Sequence, residues 1–451
     1  MTELNNKKVY VETYGCQMNV ADSEVVRSIL KSEGCVFCLS ANEADFVLIN
    51  TCAIRDNAEQ KIHRRLRELR VVQQRQSTRN AKGYDIQKTY IGVLGCMAER
   101  LKQQLMRDEE NVSFLVGPDS YRKLPDIMRR VAQGDRVSET VLSPSETYSD
   151  ISPVRFDGNG ISAFISIMRG CQNYCAYCVV PYTRGLERSR DARSIINEAR
   201  ALFGEGYKEV TLLGQNVNSY KAGDMSFAQL IANVAEISPE LRVRFATSHP
   251  KDLSDELLAT MAEYPNICRC IHLPLQSGSN RMLKLMNRRY TAEWYMDRIE
   301  AVRRYLPDCS ITTDVIAGFC GESEDDHRAT LDIFRRVQYD YAYMFKFSMR
   351  PDTYAAKHLK DDVPDEVKKR RLEEIIMLQG EIALRNNQRD VGKRFRVLVE
   401  GTSHRSKDQF FGRNSQNKVI VFDRGDAIPG SYANVEVTGC TAATLMGRLV
   451  E

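Results

Sequence analysis

A chain of 451 residues is too long for one ordinary hydrophobic core and points to two to four domains. With 43% hydrophobic and 27% charged residues it has the composition of a soluble globular protein, and no apolar run approaches the ~20 residues that a membrane helix needs. Its 64 basic and 60 acidic residues nearly cancel to a net +4, so any nucleic-acid footprint must be local and cannot be spread over the whole surface.

Residues 1–14 show no apolar h-region and no cleavage signal, so a cytoplasmic protein with no membrane partner is expected. Residues 7–132 then alternate strand-like runs (8–15, 45–51, 89–95, 114–116) with helical spacing (22–31, 58–72). This βαβα order predicts a parallel sheet with helices on its faces. Residues 133–160 are rich in Ser, Pro, Asp and Gly, lack helical periodicity and read as a linker.

Residues 161–387 alternate again, with strands expected at 163–169, 209–213, 242–247, 268–275, 310–317 and 343–348 and a long helix at 365–385. Six βα units with right-handed crossovers curl into a partial (β/α)6, TIM-like barrel with a lateral opening. Residues 388–451 change character: five short strands (394–400, 409–413, 418–422, 433–438, 445–450) separated by Gly- and Asn-rich turns predict a small antiparallel β-barrel, OB-like in character. The overall class is α/β.

The chain has 13 cysteines, an odd number, which with no secretion signal argues against a disulfide framework. Three of them, Cys171, Cys175 and Cys178, have the spacing C-x3-C-x2-C directly after the first barrel strand. That places them in a βα loop at the C-terminal rim, where such barrels do chemistry. Soft thiolates favour zinc or iron–sulfur clusters, and a structural zinc wants four protein ligands. Three close ligands fit a 4Fe–4S cluster with one open iron. The amino and carboxylate groups of S-adenosylmethionine can occupy that position, and one electron then cleaves the sulfonium to a 5′-deoxyadenosyl radical.

Cys16, Cys52 and Cys96 each end one of the first three strand-like runs. In a parallel sheet the C-terminal ends of neighbouring strands converge on one edge, so these three are candidate ligands of a second, auxiliary 4Fe–4S cluster. Gly15 and Gly95 let the backbone approach an inorganic group closely. Cys35, Cys38, Cys268, Cys270, Cys309, Cys320 and Cys440 read as packing.

The triplet resembles that of the radical S-adenosylmethionine superfamily, where an aromatic residue at the place of Tyr177 packs near the adenine. The two cysteine sets together, followed by a basic β-barrel, resemble the methylthiotransferase family over nearly the whole chain, and the last barrel resembles the RNA-binding TRAM domain. Four stretches carry the narrower likeness: 50–59 (NTCAIRDNAE), 95–100 (GCMAER), 178–185 (CVVPYTRG) and 213–220 (LGQNVNSY). One departure lies at Arg350-Pro351-Asp352-Thr353, where relatives often have Gly after Pro.

The resemblance implies an enzyme with two 4Fe–4S clusters. One S-adenosylmethionine methylates a sulfur held at Cys16, Cys52 and Cys96. A second is cleaved at Cys171, Cys175 and Cys178, and the methylthio group goes to carbon 2 of the isopentenylated adenosine 3′ of a tRNA anticodon. It also implies cofactor contacts at Tyr177, Gln215, Ser248 and Gln276, the last three ending the second, third and fourth barrel strands. The partners implied are the anticodon stem-loop, a sulfur source and an electron donor such as a flavodoxin or ferredoxin system.

Relatives that act on threonylcarbamoyl-adenosine or on an aspartate of a ribosomal protein define the nearest alternatives. An RNA-binding protein with structural or redox-sensing clusters is the alternative of another class. Phe410, Phe411, Arg413 and Lys418 are candidate RNA contacts on the barrel, and Lys61, Arg64, Arg65, Arg67 and Arg70 form a basic helix face.

Overall fold

The protein's structure, a computed structural model, describes the backbone of residues 4–52, 56–81, 88–155 and 158–451, with side chains described within 56–81 for residues 59–74. Residues 53–55 of the NTCAIRDNAE stretch and residues 156–157 of the expected linker lie outside the described residues, as do the side chains of Asp56, Asn57 and Ala58. The chain forms two compact units: Met1–Phe156 with Met168–Gln172 and Cys178–Arg190, and Asp157–Ile167 with Asn173–Tyr177 and Asp191–Glu451.

The first unit is built on a six-stranded sheet. Its strands are β1 (Lys8–Tyr14), β2 (Val36–Phe37), β3 (Phe46–Thr51), β4 (Tyr90–Gly95), β5 (Val112–Val116) and β6 (Val137–Glu139), in the order β2-β1-β3-β4-β5-β6. Every pairing is parallel. A parallel sheet is covered on both faces, which is why β3 is an unbroken buried run rather than an alternation. Phe46 and Leu48 pack on one face with Leu30, Phe114 and Tyr121; Val47 and Ile49 pack on the other with Ile62, Leu66 and Val93.

Part of the stretch read as a linker belongs to this unit. Residues 137–139 supply β6. Tyr148 is buried, stacks on Tyr121 at 5.7 Å, donates to the Pro118 carbonyl at 3.0 Å and accepts from the Tyr121 amide at 3.0 Å. A single anchoring aromatic in a Ser/Pro-rich stretch leaves no periodic signal, so composition alone could not place it.

In the second unit β7 (Ser162–Ser166) pairs with β10 (Glu209–Leu213). The expected strand 163–169 is cut short because β8 (Met168–Arg169) turns away to pair antiparallel with β9 (Arg188–Ser189) inside the first unit. A small hairpin, β11 (Lys221–Ala222) with β12 (Met225–Ser226), follows β10. Next come β13 (Arg242–Phe245), β14 (Cys270–His272), β15 (Ser310–Ala317) and β16 (Tyr341–Lys346). The parallel triplets β7-β10-β13 and β14-β15-β16 are joined by a bridge between Val243 and Ile267, which gives six barrel strands. A long helix, Asp365–Gln388, leads out of the barrel. Asp352, at the departure from the family pattern, has φ 67°, a left-handed conformation that Asp tolerates and Gly favours.

The C-terminal strands β17 (Arg394–Thr402), β18 (Gln409–Arg413), β19 (Val419–Asp423), β20 (Tyr432–Cys440) and β21 (Leu445–Leu449) close a barrel in the order β17-β18-β19-β21-β20. It is not purely antiparallel: β19 and β21 pair in parallel, because β20 closes the circle between β17 and β21.

This small barrel docks on the N-terminal ends of the larger barrel's strands. Arg242 donates to the Arg413 and Arg396 carbonyls, each at 2.6 Å. Arg244 donates to the Asn414 carbonyl at 2.7 Å and the Ser415 carbonyl at 3.1 Å while its Nε binds Glu209 at 2.7 Å. Breaking a buried, paired charge costs about 3–5 kcal/mol. Arg244→Met, which strands Glu209 and frees two carbonyls, is therefore expected to lower the urea midpoint and to expose residues 388–451 to limited proteolysis at urea concentrations that leave the wild type intact.

Candidate functional site

In the first unit β1, β3 and β4 are neighbours, and Tyr14, Thr51 and Gly95 face one another in register. Cys16, Cys52 and Cys96 follow these positions by two, one and one residues, so three remote cysteines emerge from one sheet edge. Gly15 (φ 127°) and Gly95 (φ 84°) turn the chain there. A Cβ on Gly15 would stand 2.5 Å from the Cys52 Cβ, and one on Gly95 would stand 2.5 Å from Asn50 Oδ1, so neither position accepts a side chain. Asn19 and Asn50 brace the edge. Asn50 Nδ2 donates to the Asn19 carbonyl and to Ser23 Oγ, each at 2.9 Å, and Asn19 Oδ1 accepts from Cys16 Sγ at 3.3 Å.

A buried charge network lies behind these thiols. Asp22 accepts from Arg169 at 2.7 Å and from Arg184 at 2.8 Å; Arg188 pairs with Asp119 at 3.0 Å. Burial alone would raise the Asp22 carboxyl, but the two guanidiniums outweigh it and hold the group below its usual range. Three arginines face two aspartates, and Arg184 turns its Nε to Cys96 Sγ at 3.1 Å. The Cys16 thiol is lowered to about 6, first by its hydrogen bond with Cys52 and then by Arg184, against a desolvation that raises it. Burial pushes the Cys96 thiol up, with Arg184 opposing.

Among the described residues no three His, Cys, Asp or Glu side chains already form a metal-holding group. The fit to a cluster therefore rests on donor chemistry. Three soft thiols share one edge, glycines flank two of them, and a buried cation faces them, which together suit an iron–sulfur cluster.

Around the C-x3-C-x2-C loop, Cys171 and Cys175 are buried and Cys178 is half-buried. Gly170 (φ 77°) precedes the loop, and a Cβ there would collide with the Leu186 carbonyl. In the second unit Arg288, fully buried, donates to Cys175 Sγ at 3.1 Å and lies 3.4 Å from the Tyr177 hydroxyl. Tyr177 also meets Phe319 edge-on at 6.4 Å.

Gln215, Ser248 and Gln276 follow the last residues of β10, β13 and β14 by two, three and four positions, on the C-terminal side of those strands. Among the described residues, Gln215 Oε1 and Ser248 Oγ are buried with no hydrogen-bond partner, as are both amide atoms of Asn218. An unpaired buried polar atom costs about 1–3 kcal/mol. Following strand ends on one side of the barrel, such atoms would suit a polar ligand such as S-adenosylmethionine. Gln276 is buried with φ 68°, its amide donating to the Asp314 carbonyl at 2.8 Å. His249 beside Ser248 is lowered to about 2 by burial and by Arg288, so it stays a neutral imidazole.

Sequence reasoning did not single out Arg184, Asp22, Asn19, Arg288 or Asn218. Arg184 and Asn218 lie inside two of the four likeness stretches, which is the one signal that marked them; Arg288 had none. Of the remaining cysteines, Cys35, Cys268 and Cys320 are buried and Cys38, Cys270, Cys309 and Cys440 half-buried; burial raises the Cys35 and Cys320 thiols to about 11.

Two candidate RNA contacts are corrected. Phe410 belongs to the core of the small barrel, and Lys418 is held between Asp340 at 3.0 Å and Asp390 at 2.7 Å. Alternation along β18 turns Phe410 inward, and the docking contact captures Lys418. Phe411 stacks with His404 at 6.3 Å, and Arg413 pairs with Glu400. On the helix Asp56–Ala81, Arg65 is engaged by Glu12 while Lys61, Arg64 and Arg67 are exposed.

Three family models match the chain: Radical SAM superfamily over residues 165–334, the uncharacterized protein family UPF0004 over 8–117, and TRAM domain over 388–450. Among solved structures, the radical S-adenosylmethionine methyltransferase TsrM from Kitasatospora setae aligns with TM-score 0.58 at 12% identity, covering 78% of this chain and 77% of that one. That likeness shows the fold. Fold and cysteine placement together define a radical S-adenosylmethionine enzyme.

Among curated relatives, the tRNA-2-methylthio-N(6)-dimethylallyladenosine synthase of Phocaeicola vulgatus is 54% identical, covering 100% of this chain and 97% of its own. Those of Bacteroides fragilis and Parabacteroides distasonis are 53% and 50% identical, covering 99% and 100% of this chain and 96% and 97% of their own. The chain belongs to the tRNA-2-methylthio-N(6)-dimethylallyladenosine synthase family of methylthiotransferases.

The thiol arrangement has a measurable consequence in metal-free protein. A thiolate reacts with iodoacetamide and a thiol does not. Alkylation of Cys16, followed by peptide mass mapping, is expected to rise with pH through about 6. In Cys52→Ala, which removes the largest cause of the shift, the midpoint is expected to move up toward the ordinary 9.0.

Proposed function

We propose that this protein transfers a methylthio group to carbon 2 of the isopentenylated adenosine on the 3′ side of a tRNA anticodon. The observation that carries the reading is identity of 50–54% along essentially the whole chain to enzymes bearing that name. Cys171, Cys175 and Cys178 would hold the radical-forming 4Fe–4S cluster, and Cys16, Cys52 and Cys96 an auxiliary one. Tyr177, Gln215, Ser248 and Gln276 would contact S-adenosylmethionine. When bound, these groups supply reductive sulfonium cleavage, hydrogen abstraction and a sulfur to be methylated and transferred.

The chain's own contribution is binding, charge and exclusion of water. Arg288 sets a fixed cation at Cys175, and Arg184 does the same at Cys96. Burial of Cys52, Cys96, Cys171 and Cys175 keeps solvent from four of the six sulfurs. Gln215 Oε1, an acceptor, would take a donor group of the bound cofactor, and Ser248 Oγ would accept from or donate to one of its hydroxyls. His249, kept neutral by burial and by Arg288, would add no positive charge to the site of a cationic cofactor. The reaction needs a sulfur source and an electron donor such as a flavodoxin or ferredoxin system. A tRNA substrate supports a cytoplasmic location; separately, among the described residues no helix is long and apolar enough to cross a membrane.

The test is mass spectrometry of anticodon stem-loop RNA, isopentenylated or unmodified, incubated without oxygen with reconstituted protein, S-adenosylmethionine, a sulfur source and reductant. A methylthio mass gain on the isopentenylated RNA alone is expected. No gain on either RNA would sink the reading, and a gain on the unmodified RNA alone would change the substrate. Cys175→Ala should reduce 5′-deoxyadenosine to background. Cys16→Ala should still form 5′-deoxyadenosine while losing the methylthio product.

A further inference from the structure

The inner wall of the second unit's barrel carries a strip of exposed aromatic rings that the chemistry above does not use. In register, His272 faces Thr312, which faces Tyr341, and Asp314 faces Tyr343. The intervening residues point the other way: Thr313 Oγ1 and the Tyr295 hydroxyl of a surrounding helix both donate to the Leu273 carbonyl at 2.9 Å. His272, Thr312, Asp314, Tyr341 and Tyr343 therefore face the barrel interior. Interior positions of such barrels are normally filled by packed branched side chains. Here Tyr341 is 52% and Tyr343 46% exposed. The reason is topological: β16 is the last strand of its sheet and, among the described strands, pairs with β15 on one side, so the sheet ends there.

The rings are ordered with respect to one another. Tyr341 and Tyr343 meet edge-to-face at 4.9 Å and 79°, and His272 meets Tyr343 at 5.8 Å and 77°. His272 is itself fixed by Thr312 Oγ1 at 3.0 Å and lies 3.5 Å from Asp314. The strip starts beside the small barrel, because Lys418 of that barrel pairs with Asp340, the residue before Tyr341. It runs up β16 toward the C-terminal rim, about 17 Å away over five residue steps. The small barrel holds 10 Lys/Arg against 7 Asp/Glu in residues 388–451. β16 thus spans from the contact with the small barrel at Asp340 to the C-terminal end of the larger barrel's wall.

We infer that Tyr341 and Tyr343 form a stacking track for unpaired nucleotides of the tRNA anticodon loop, between the TRAM barrel and the catalytic rim. The inference rests on the RNA substrate proposed above. Exposed aromatic rings bind unstacked bases through their faces with little regard to sequence. The alternation of the tyrosines with Thr312, Asp314 and His272 breaks any continuous apolar surface that a lipid or an amphipathic helix would need.

The experiment measures binding of a fluorescent isopentenylated anticodon stem-loop to the reconstituted holoenzyme, with methylthio transfer followed in parallel. Replacing both tyrosines with Leu keeps apolar volume and removes stacking; replacing both with Phe keeps stacking. The Leu double variant is expected to bind about ten- to a hundredfold more weakly. The Phe variant should stay within about twofold, and 5′-deoxyadenosine formation without RNA should be unchanged in both. Equal affinity of the Leu variant and a wild type that methylthiolates the RNA would overturn the track and leave the function standing. A wild type that neither binds nor modifies the RNA would overturn both.

Discussion

Asp22 is the constraint on which the first unit turns. A carboxylate removed from water is stable only if paired and fully hydrogen-bonded. Asp22 is 1% exposed and meets that demand with Arg169 on one oxygen and Arg184 on the other. Those arginines come from residues about 150 positions away in sequence, on either side of the second cysteine set. Satisfying one buried charge thus pulls residues 168–172 and 178–190 onto the six-stranded sheet and fixes the ring of contacts through which Arg184 reaches Cys96.

The same device recurs in the second unit. Arg288 is buried, held by the Tyr290 hydroxyl at 3.1 Å, and donates to Cys175 Sγ at 3.1 Å, the distance at which Arg184 meets Cys96. Hydrogen bonds to ligand sulfurs and nearby fixed charge are among the terms that set the potential of an iron–sulfur centre. A cation at each site also reduces the cost of gathering thiolates in a water-poor place. Lysine would be a poorer choice, since its point charge lacks the fork that lets one group hold an acid or hydroxyl and a sulfur together.

In the second unit the candidate cofactor contacts and the small barrel stand at opposite ends of the larger barrel. Candidate cofactor contacts lie at the C-terminal rim, while the small barrel is fastened to the N-terminal ends through Arg242, Arg244 and Lys418. Arg242 and Arg244 end on backbone carbonyls of the small barrel, while Lys418 and Tyr432 of that barrel reach back through their own side chains. The fastening also removes Lys418 from the pool of cations that could meet phosphate.

The sequence by itself determined the class of fold, the two cysteine sets and the order of domains. Strand-end cysteines after apolar runs and a C-x3-C-x2-C spacing are local patterns, and local patterns survive without coordinates. Even the convergence of Cys16, Cys52 and Cys96 followed from parallel pairing alone. What only the tertiary structure decided involves partners remote in the chain: Arg184 with Cys96, Arg288 with Cys175, Tyr148 under Pro118, and the capture of Lys418 by Asp340. A charge or an aromatic ring has no periodicity to announce where it is buried. Its role depends on which distant group lacks a partner, and that is settled only when the chain has folded.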